Sequence, residues 1–207
     1  MSEKKVVPFE GIARIYDDLV ERYGHDPRAC DYGRPLSQQI KFRVLADVAS
    51  IANKRLLDVG CGFADYADYL QERYGSVLYS GLDLSQRMIE KAKLLHPNLD
   101  LRVGNIMDEA AREEFDIVSA NGIFYLLGED ASRIMHRIIV RMYEKARLAV
   151  AFNSLSVWAP AKELNEYYAN PQETVEFCRS ITPWVVMRHD YLPHDFTIYM
   201  YRKQPWV

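Results

Sequence analysis

The stretch Arg55–Asp65 reads Arg-Leu-Leu-Asp-Val-Gly-Cys-Gly-Phe-Ala-Asp, and it indicates the fold class. Its first part, Leu56–Val59, is a short apolar run with one acid, as in a buried strand. Gly60 and Gly62 follow at once, and Phe63–Tyr74 then repeats apolar and aromatic residues at helical spacing. A strand, a glycine turn and a helix form the opening of a nucleotide-binding βαβ unit, because glycine permits the tight turn and lets a ligand approach the backbone.

Two acids in this stretch narrow the choice of ligand. A dinucleotide fingerprint has glycine or alanine three positions after its second glycine, where this chain has Asp65. Asp58, two residues before the first glycine, suits a ligand with a positive group and suits a pyrophosphate poorly. Acid-x-Gly-x-Gly at the end of a first strand resembles motif I of the class I S-adenosylmethionine-dependent methyltransferases. That resemblance implies that Asp58, Gly60, Cys61 and Gly62 bind the cofactor.

A second strand supports the same interpretation. Val77–Leu84 is predicted to be a strand that ends in Asp83, which lies 23 residues beyond Gly60. An acid at that distance, at the end of the neighbouring parallel strand, is placed to accept hydrogen bonds from ribose hydroxyls. The segment Gly81–Ser85 resembles motif II of the same family, so Asp83 and Leu84 are predicted to contact the cofactor.

The third and fourth strands are predicted to supply the remaining cofactor contacts. Strand 3, Leu99–Ile106, ends in Gly-Asn-Ile where the family usually has Gly-Asp. An amide oxygen can still accept the hydrogen bond from the adenine amino group, although without charge, so that role is carried over to Asn105. Ile106 is expected to pack on the adenine ring. Strand 4, Glu114–Asn121, resembles motif IV, and Asn121 at its ligand end is a further predicted cofactor residue.

The acceptor pocket is expected beneath two amphipathic helices that precede strand 1, Phe9–Tyr23 and Gln38–Ile51. In class I methyltransferases such helices often lie over the cofactor and help to form the acceptor site. The predicted pocket residues come from these helices, from the loop between them and from the segments at the ends of the later strands. They are Tyr16, Tyr32, Gln38, Phe124, Tyr125, Asn153 and Tyr191. Surface or packing roles are the alternative for each of them.

His194 and Asp195 are the candidate catalytic pair. They lie in the turn between two predicted terminal strands, Trp184–Tyr191 and Phe196–Tyr201. Histidine can take up a proton near neutral pH, and this turn is on the expected ligand side of the sheet. A base is needed only where the methyl acceptor is protonated, because the sulfonium of the cofactor is already activated. A pair that only stabilises the turn is the alternative.

The alternation of strands and helices predicts an α/β fold of one domain. The resemblance implies a Rossmann-like, doubly wound sheet of seven strands, mostly parallel with an antiparallel last strand, in the order 3-2-1-4-5-7-6. Strand 5 is predicted at Arg147–Phe152. The single domain would span residues 1–207, with an N-terminal helical cap over residues 1–52 and the Rossmann-like core over residues 53–207.

Composition excludes several classes of function. The chain has 207 residues and a net charge of -3, and Lys and Arg form no run longer than a pair, so nucleic-acid binding is not expected. Three cysteines without metal spacing predict reduced thiols and no metal site. No apolar run reaches the length of about 18 residues that crosses a bilayer. We therefore expect a cytoplasmic protein, monomeric or homodimeric, without membrane contact.

These observations predict an S-adenosylmethionine-dependent methyltransferase that acts on oxygen or nitrogen of a small molecule. Asn121-Gly122-Ile123-Phe124 differs from the Asn-Pro-Pro-Tyr motif of nucleic-acid amino-methyltransferases, and neither clustered carboxylates nor paired cysteines are present to suggest other acceptor classes. Methylation of a protein or RNA is one alternative, and a nicotinamide oxidoreductase is another. The non-enzyme alternative is a regulatory protein that binds S-adenosylmethionine without catalysis. The acceptor and the methylated atom remain open.

Overall fold

The computed structural model describes residues 9–30, 35–108 and 114–205. Six helices and seven strands of the described chain follow one another in a largely alternating order. The helices are α1 (Phe9–Tyr23), α2 (Pro35–Ala46), α3 (Asp65–Tyr74), α4 (Gln86–Leu95), α5 (Ala131–Lys145) and α6 (Pro171–Ile181). The strands are β1 (Arg55–Val59), β2 (Leu78–Asp83), β3 (Asp100–Val103), β4 (Phe115–Ala120), β5 (Ala146–Leu155), β6 (Val185–Leu192) and β7 (Asp195–Tyr201). A short 3-10 helix, Pro27–Cys30, lies between α1 and α2.

The strands form one sheet in the order β3-β2-β1-β4-β5-β7-β6, which confirms the predicted topology. Strands β1 to β5 pair in parallel, whereas β7 runs antiparallel to both β5 and β6. In the register of β1 with β2, Asp58 faces Gly81 and Val59 faces Leu82. Because the carboxyl ends of the parallel strands lie at one edge of the sheet, the residues that follow them gather there.

Helices cover both faces of the sheet, and each face has its own apolar core. Alternation along β4 shows the division, since Ile117 packs into one core and Val118 into the other. The core on one face joins the sheet to α5, whose Met135, Ile138, Ile139 and Met142 are buried. The core on the opposite face joins the sheet to α2, α3 and α4.

Two boundaries differ from the sequence prediction in ways that affect the site. Helix α2 begins at Pro35 and ends at Ala46, earlier at both ends than predicted. Strand β5 continues to Leu155 instead of ending at Phe152, because β7 pairs with it as far as the Leu155–Asp195 partners. This pairing places Asp195 beside the carboxyl end of β5.

Within the described ranges, no helix combines the length and the apolar character needed to cross a lipid bilayer.

Candidate active site

The glycine turn after β1 is held against the end of β2. Gly60 and Gly62 adopt φ angles of 75° and 54°, in the left-handed region that glycine accepts readily. The backbone N–H groups of Gly60 and Cys61 both donate to Leu82 O, at 2.7 and 3.1 Å. A Cβ on Gly60 would lie 2.3 Å from Ile123 Cγ2, so only glycine fits between the turn and the segment after β4.

Ala64 extends this unusual backbone by one further position. It has φ 66° and ψ 25°, and it occupies the N-cap position of α3 without a capping side-chain hydrogen bond. A left-handed conformation costs a residue other than glycine roughly 1–2 kcal/mol. Its N–H donates to Cys61 O at 2.9 Å, which closes the turn. Backbone strain of this kind is characteristic of functional sites, and an alanine in the sequence does not indicate it.

Asp58 is a buried acid two residues before the glycine turn. Its side chain accepts hydrogen bonds from Tyr79 Oη, which is 2.7 Å from Oδ2, and from Ser119 Oγ, which is 3.3 Å from Oδ1. Burial raises the pKa of Asp58 to about 7, and the two hydrogen bonds only partly oppose it. A positively charged group bound nearby would stabilise the ionised form.

Asp83 connects the turn to the end of β2. Gly62 N donates to its Oδ2 at 2.8 Å, and Ser85 N donates to its Oδ1 at 2.9 Å. Burial raises the pKa of Asp83, and these two backbone hydrogen bonds act against that rise. Each carboxylate oxygen retains further acceptor capacity, so the side chain is suited to a pair of hydroxyls such as a ribose diol.

One cavity lies along this edge of the sheet, and every predicted cofactor residue lines it. These residues are Asp58, Gly60, Cys61, Gly62, Asp83, Leu84, Asn105, Ile106 and Asn121. The Oδ1 atom of Asn105 accepts from Met107 N at 3.0 Å, which orients its side chain. The carboxyl ends of β1, β2, β3 and β4 therefore contribute to a single site.

The N-terminal helices form one side of the same cavity. Tyr16 of α1 shares a hydrogen bond of 2.7 Å with Tyr125, hydroxyl to hydroxyl. Gln38 of α2 donates to Asp65 Oδ2 at 3.3 Å, and His25 Nε2 lies 2.9 Å from Asp65 Oδ1. The acid that replaces the third glycine of a dinucleotide fingerprint is thus an attachment point for the N-terminal segment.

Helix α1 is also attached to the start of α4. Asp17 Oδ1 accepts hydrogen bonds from Ser85 Oγ at 2.5 Å and from Arg87 N at 3.1 Å. Arg87 Nη1 lies 3.0 Å from Glu21 Oε2. These contacts hold α1 across the cavity edge, next to Asp83.

Four of the predicted pocket residues, Tyr16, Gln38, Phe124 and Tyr125, line the cavity. Asn153 and Tyr191 do not, and for them the prediction does not match the structure. Asn153 is fully buried. Its side chain accepts a hydrogen bond from Gly122 N at 2.7 Å and donates one to Asn121 Oδ1 at 2.6 Å, so it fixes the segment that follows β4. The Tyr191 hydroxyl instead bonds to Thr197 Oγ1 at 2.8 Å. Tyr32 lies outside the described residues.

The two predicted catalytic residues are placed differently. Asp195 is 1% exposed and lines the cavity, whereas the His194 side chain is 41% exposed and lies outside the lining. His194 Nε2 is 3.3 Å from Asp195 Oδ2. Lys41 Nζ of α2 is nearer, at 2.9 Å from the same oxygen, and its side chain is also buried. Lys41 was not among the predicted site residues, because nothing near it in the sequence indicates an acid partner more than a hundred residues away.

Among the described residues, no group of three or more His, Cys, Asp or Glu side chains could hold a metal ion. The polar side chains of the cavity include carboxylates, amides, hydroxyls and the ammonium group of Lys41. They are suited to binding and orienting an organic cofactor and a second molecule beside it.

Comparisons with known proteins find methyltransferases in each case. Residues 56–146 match a family described as a methyltransferase domain. A protein of Mycobacterium tuberculosis named as a methyltransferase is 28% identical over 151 residues, which cover 68% of this chain and 89% of that protein. A trans-aconitate methyltransferase of Rhizobium rhizogenes is 32% identical over 84 residues, covering 41% of this chain and only 33% of the relative.

Solved structures share the fold at low sequence identity. The magnesium protoporphyrin IX methyltransferase of Synechocystis PCC 6803 with bound S-adenosylmethionine superposes with a TM-score of 0.69 and 13% identity, covering 98% of this chain and 100% of that one. An O-methyltransferase family protein of Burkholderia thailandensis has a TM-score of 0.66 and 16% identity, covering 88% and 62% of the two chains. By its motifs, its strand order and these matches, the chain is similar to the class I S-adenosylmethionine-dependent methyltransferases.

Proposed function

We propose that this protein binds S-adenosylmethionine and transfers its methyl group to oxygen or nitrogen of a small-molecule acceptor. The observation that carries the proposal is the convergence of four strand ends on one cavity. The nine residues predicted from the family motifs, which are distant in sequence, all line that cavity.

The residues of the cavity fit the cofactor by their chemistry. The glycine turn brings backbone close to the cavity, and the anion of Asp58 favours a ligand that carries positive charge. Asp83 retains acceptor capacity for the ribose, and Asn105 with the buried Ile106 fits the adenine. When bound, S-adenosylmethionine supplies an activated methyl group on a sulfonium.

Because the methyl group is already activated, the protein has to align the acceptor with it and exclude water from the site. The N-terminal helices contribute to both, since Tyr16 bonds to Tyr125 and Lys41 pairs with Asp195 across the cavity. In this proposal Asp195, which lines the cavity, accepts a hydrogen bond from the attacking group of the acceptor and takes its proton where that group is protonated. His194, whose Nε2 is 3.3 Å from Asp195 Oδ2 and whose side chain is partly exposed, passes the proton to solvent.

A small acceptor is favoured over a macromolecule. Helices α1 and α2 form one side of the cavity, and the net charge of -3 gives no attraction for a nucleic-acid backbone. Trans-aconitate and magnesium protoporphyrin IX, the molecules in the names of two similar enzymes, are small molecules. We also propose a single cytoplasmic domain, monomeric or homodimeric, and light scattering with size-exclusion chromatography would measure its oligomeric state.

Calorimetric titration tests the proposal. S-adenosylmethionine and S-adenosylhomocysteine should bind with micromolar affinity, and NAD should not bind. Labelled methyl donor would then report transfer to candidate acceptors. Binding of NAD but neither sulfur ligand would reject the proposal in favour of an oxidoreductase. Tight cofactor binding without transfer to any acceptor of a broad panel would favour a regulatory protein.

A further inference from the structure

Most of the cavity-lining residues outside the predicted cofactor set are apolar. They include Phe9, Ile12, Phe42, Phe124, Leu127 and Ile138. Phe124 is 1% exposed and packs edge-to-face against Phe152, with ring centroids 5.7 Å apart. A molecule bound there would place an apolar body against these side chains.

The charged side chains around the cavity are strongly unequal in sign. Of the lining residues that the structure describes, Lys41 is the sole base, whereas the acids are Asp58, Asp65, Asp83, Glu166 and Asp195. Lys41 lies 2.9 Å from Asp195 Oδ2, and the two side chains are 10% and 2% exposed. The positive charge of Lys41, the one positive charge among the described lining residues, is therefore already balanced by a buried acid.

This arrangement has consequences for the charge of the acceptor. A carboxylate would have to compete with Asp195 for Lys41, or lie among apolar and acidic side chains with no other positive partner among the described lining residues, and both are unfavourable in a buried site. A hydroxyl or amine can instead donate to the oxygens of Asp195, Glu166 or the Tyr16–Tyr125 hydroxyl pair.

We propose that the acceptor is a neutral or cationic molecule with an apolar body and a hydroxyl or amine group, and that the Lys41–Asp195 pair excludes carboxylates. This inference rests on the proposed function and specifies its substrate class. It separates this chain from the similar trans-aconitate methyltransferases, whose named substrate is a tricarboxylate. The family match at residues 56–146 includes neither Lys41 nor Asp195, so the pair is outside the region shared with that family.

The test uses three probes of similar size that differ in their polar group: phenethyl alcohol, phenethylamine and phenylacetate. Each is titrated at millimolar concentration into protein saturated with S-adenosylhomocysteine, and binding is followed by ligand-observed NMR. We expect the alcohol and the amine to bind at least about tenfold more tightly than phenylacetate. Trans-aconitate is the fourth probe and should not bind.

Variants of the pair make the test specific. Asp195→Asn removes the acid and leaves net positive charge at Lys41, so phenylacetate should gain affinity and phenethylamine should lose it. Because removal of one member of a buried pair can unfold a protein, a double variant, Lys41→Met with Asp195→Leu, removes both charges together. This variant should bind the alcohol and discriminate least between amine and carboxylate.

The outcomes separate the two proposals. Failure of the wild-type protein to bind S-adenosylhomocysteine would reject the proposed function. If S-adenosylhomocysteine binds normally, the proposed function stands, and the affinities of the probes then test the proposed acceptor class. Phenylacetate binding as tightly as the alcohol, trans-aconitate binding, or no binding by any of the three aromatic probes would overturn it. So would an unchanged order of affinities in both variants.

Discussion

Replacement of Asp58 by asparagine is expected to stabilise the cofactor-free protein and to weaken its binding of the cofactor. Asp58 is 3% exposed, and it faces the hydroxyls of Tyr79 and Ser119 without a basic partner among the interactions that shift its pKa. An asparagine can keep hydrogen bonds to both hydroxyls, because hydroxyl groups can either donate or accept. The substitution therefore removes a buried charge at little cost in hydrogen bonding.

The size of the effect follows from the pKa. Burial raises the pKa of Asp58 from its ordinary 3.8 to about 7. Each tenfold change in proton affinity between the folded and unfolded states corresponds to about 1.4 kcal/mol, so ionisation of Asp58 costs the folded protein at most about 4 kcal/mol. Since the folded state binds this proton more tightly, the stability that Asp58 contributes is fully present below about pH 4. This stability is lost as the pH rises to about 7. Above pH 7 Asp58 is ionised in both the folded and the unfolded state, so its effect on the free energy of unfolding no longer changes with pH.

Urea unfolding of the cofactor-free proteins across this pH range measures the difference. The asparagine variant should be more stable than the wild type by about 2–4 kcal/mol at pH 8, and the two should converge near pH 4. In parallel, the variant should bind S-adenosylmethionine at least about tenfold more weakly at pH 8, because the anion that attracts the cationic ligand is absent. A stability difference that does not change with pH, or a variant less stable than wild type at pH 8, would refute this account of Asp58.

Three further substitutions test the remaining parts of the site. Asp83→Ala should lower the affinity for S-adenosylhomocysteine by at least about 1.5 kcal/mol in calorimetry, because charged hydrogen bonds to the ribose are lost, and unchanged affinity would contradict that role. Gly60→Ala places a Cβ 2.3 Å from Ile123 Cγ2, so it should lower the free energy of unfolding by at least about 1 kcal/mol. Adding Ile123→Ala should restore part of this stability. If the double variant is no more stable than Gly60→Ala in thermal unfolding, the clash is not the cause. Asn153→Ala removes the acceptor of Gly122 N–H and should cost about 1–3 kcal/mol in urea unfolding, whereas wild-type stability would show that this hydrogen bond is unimportant.

The gathering of the predicted cofactor residues at one cavity could be predicted from the sequence, because the signals for it are local. In Asp58–Gly62 the strand, the turn and the start of a helix follow one another within a few residues, and the glycines mark the turn. Asp83 could be found by its spacing alone, since adjacent parallel strands place their ends side by side. Strain at Ala64 could not be found, because alanine favours ordinary helical backbone and gives no warning of a left-handed φ.

The acceptor half was less predictable because it depends on long-range pairing. A strand ending at Phe152 would let Asn153 emerge at the ligand edge, but β5 continues and pairs Asn153 with Thr197 of β7. Its side chain is consequently enclosed at the end of β4. Lys41 presents the opposite problem: it lies between apolar residues of α2 and acquires a role only because β7 brings Asp195 within 2.9 Å.

This difference between the two halves limits what can be transferred from relatives. The predicted cofactor residues, from Asp58 to Asn121, fall inside the region that matches the methyltransferase family, residues 56–146. Tyr16, Lys41 and Asp195, which line the same cavity, fall outside that region. A family that shares the first set can therefore share the cofactor while its members differ in the second set and in their acceptors. The charge of the acceptor must accordingly be inferred from the Lys41–Asp195 pair of this chain rather than from the substrates of its relatives.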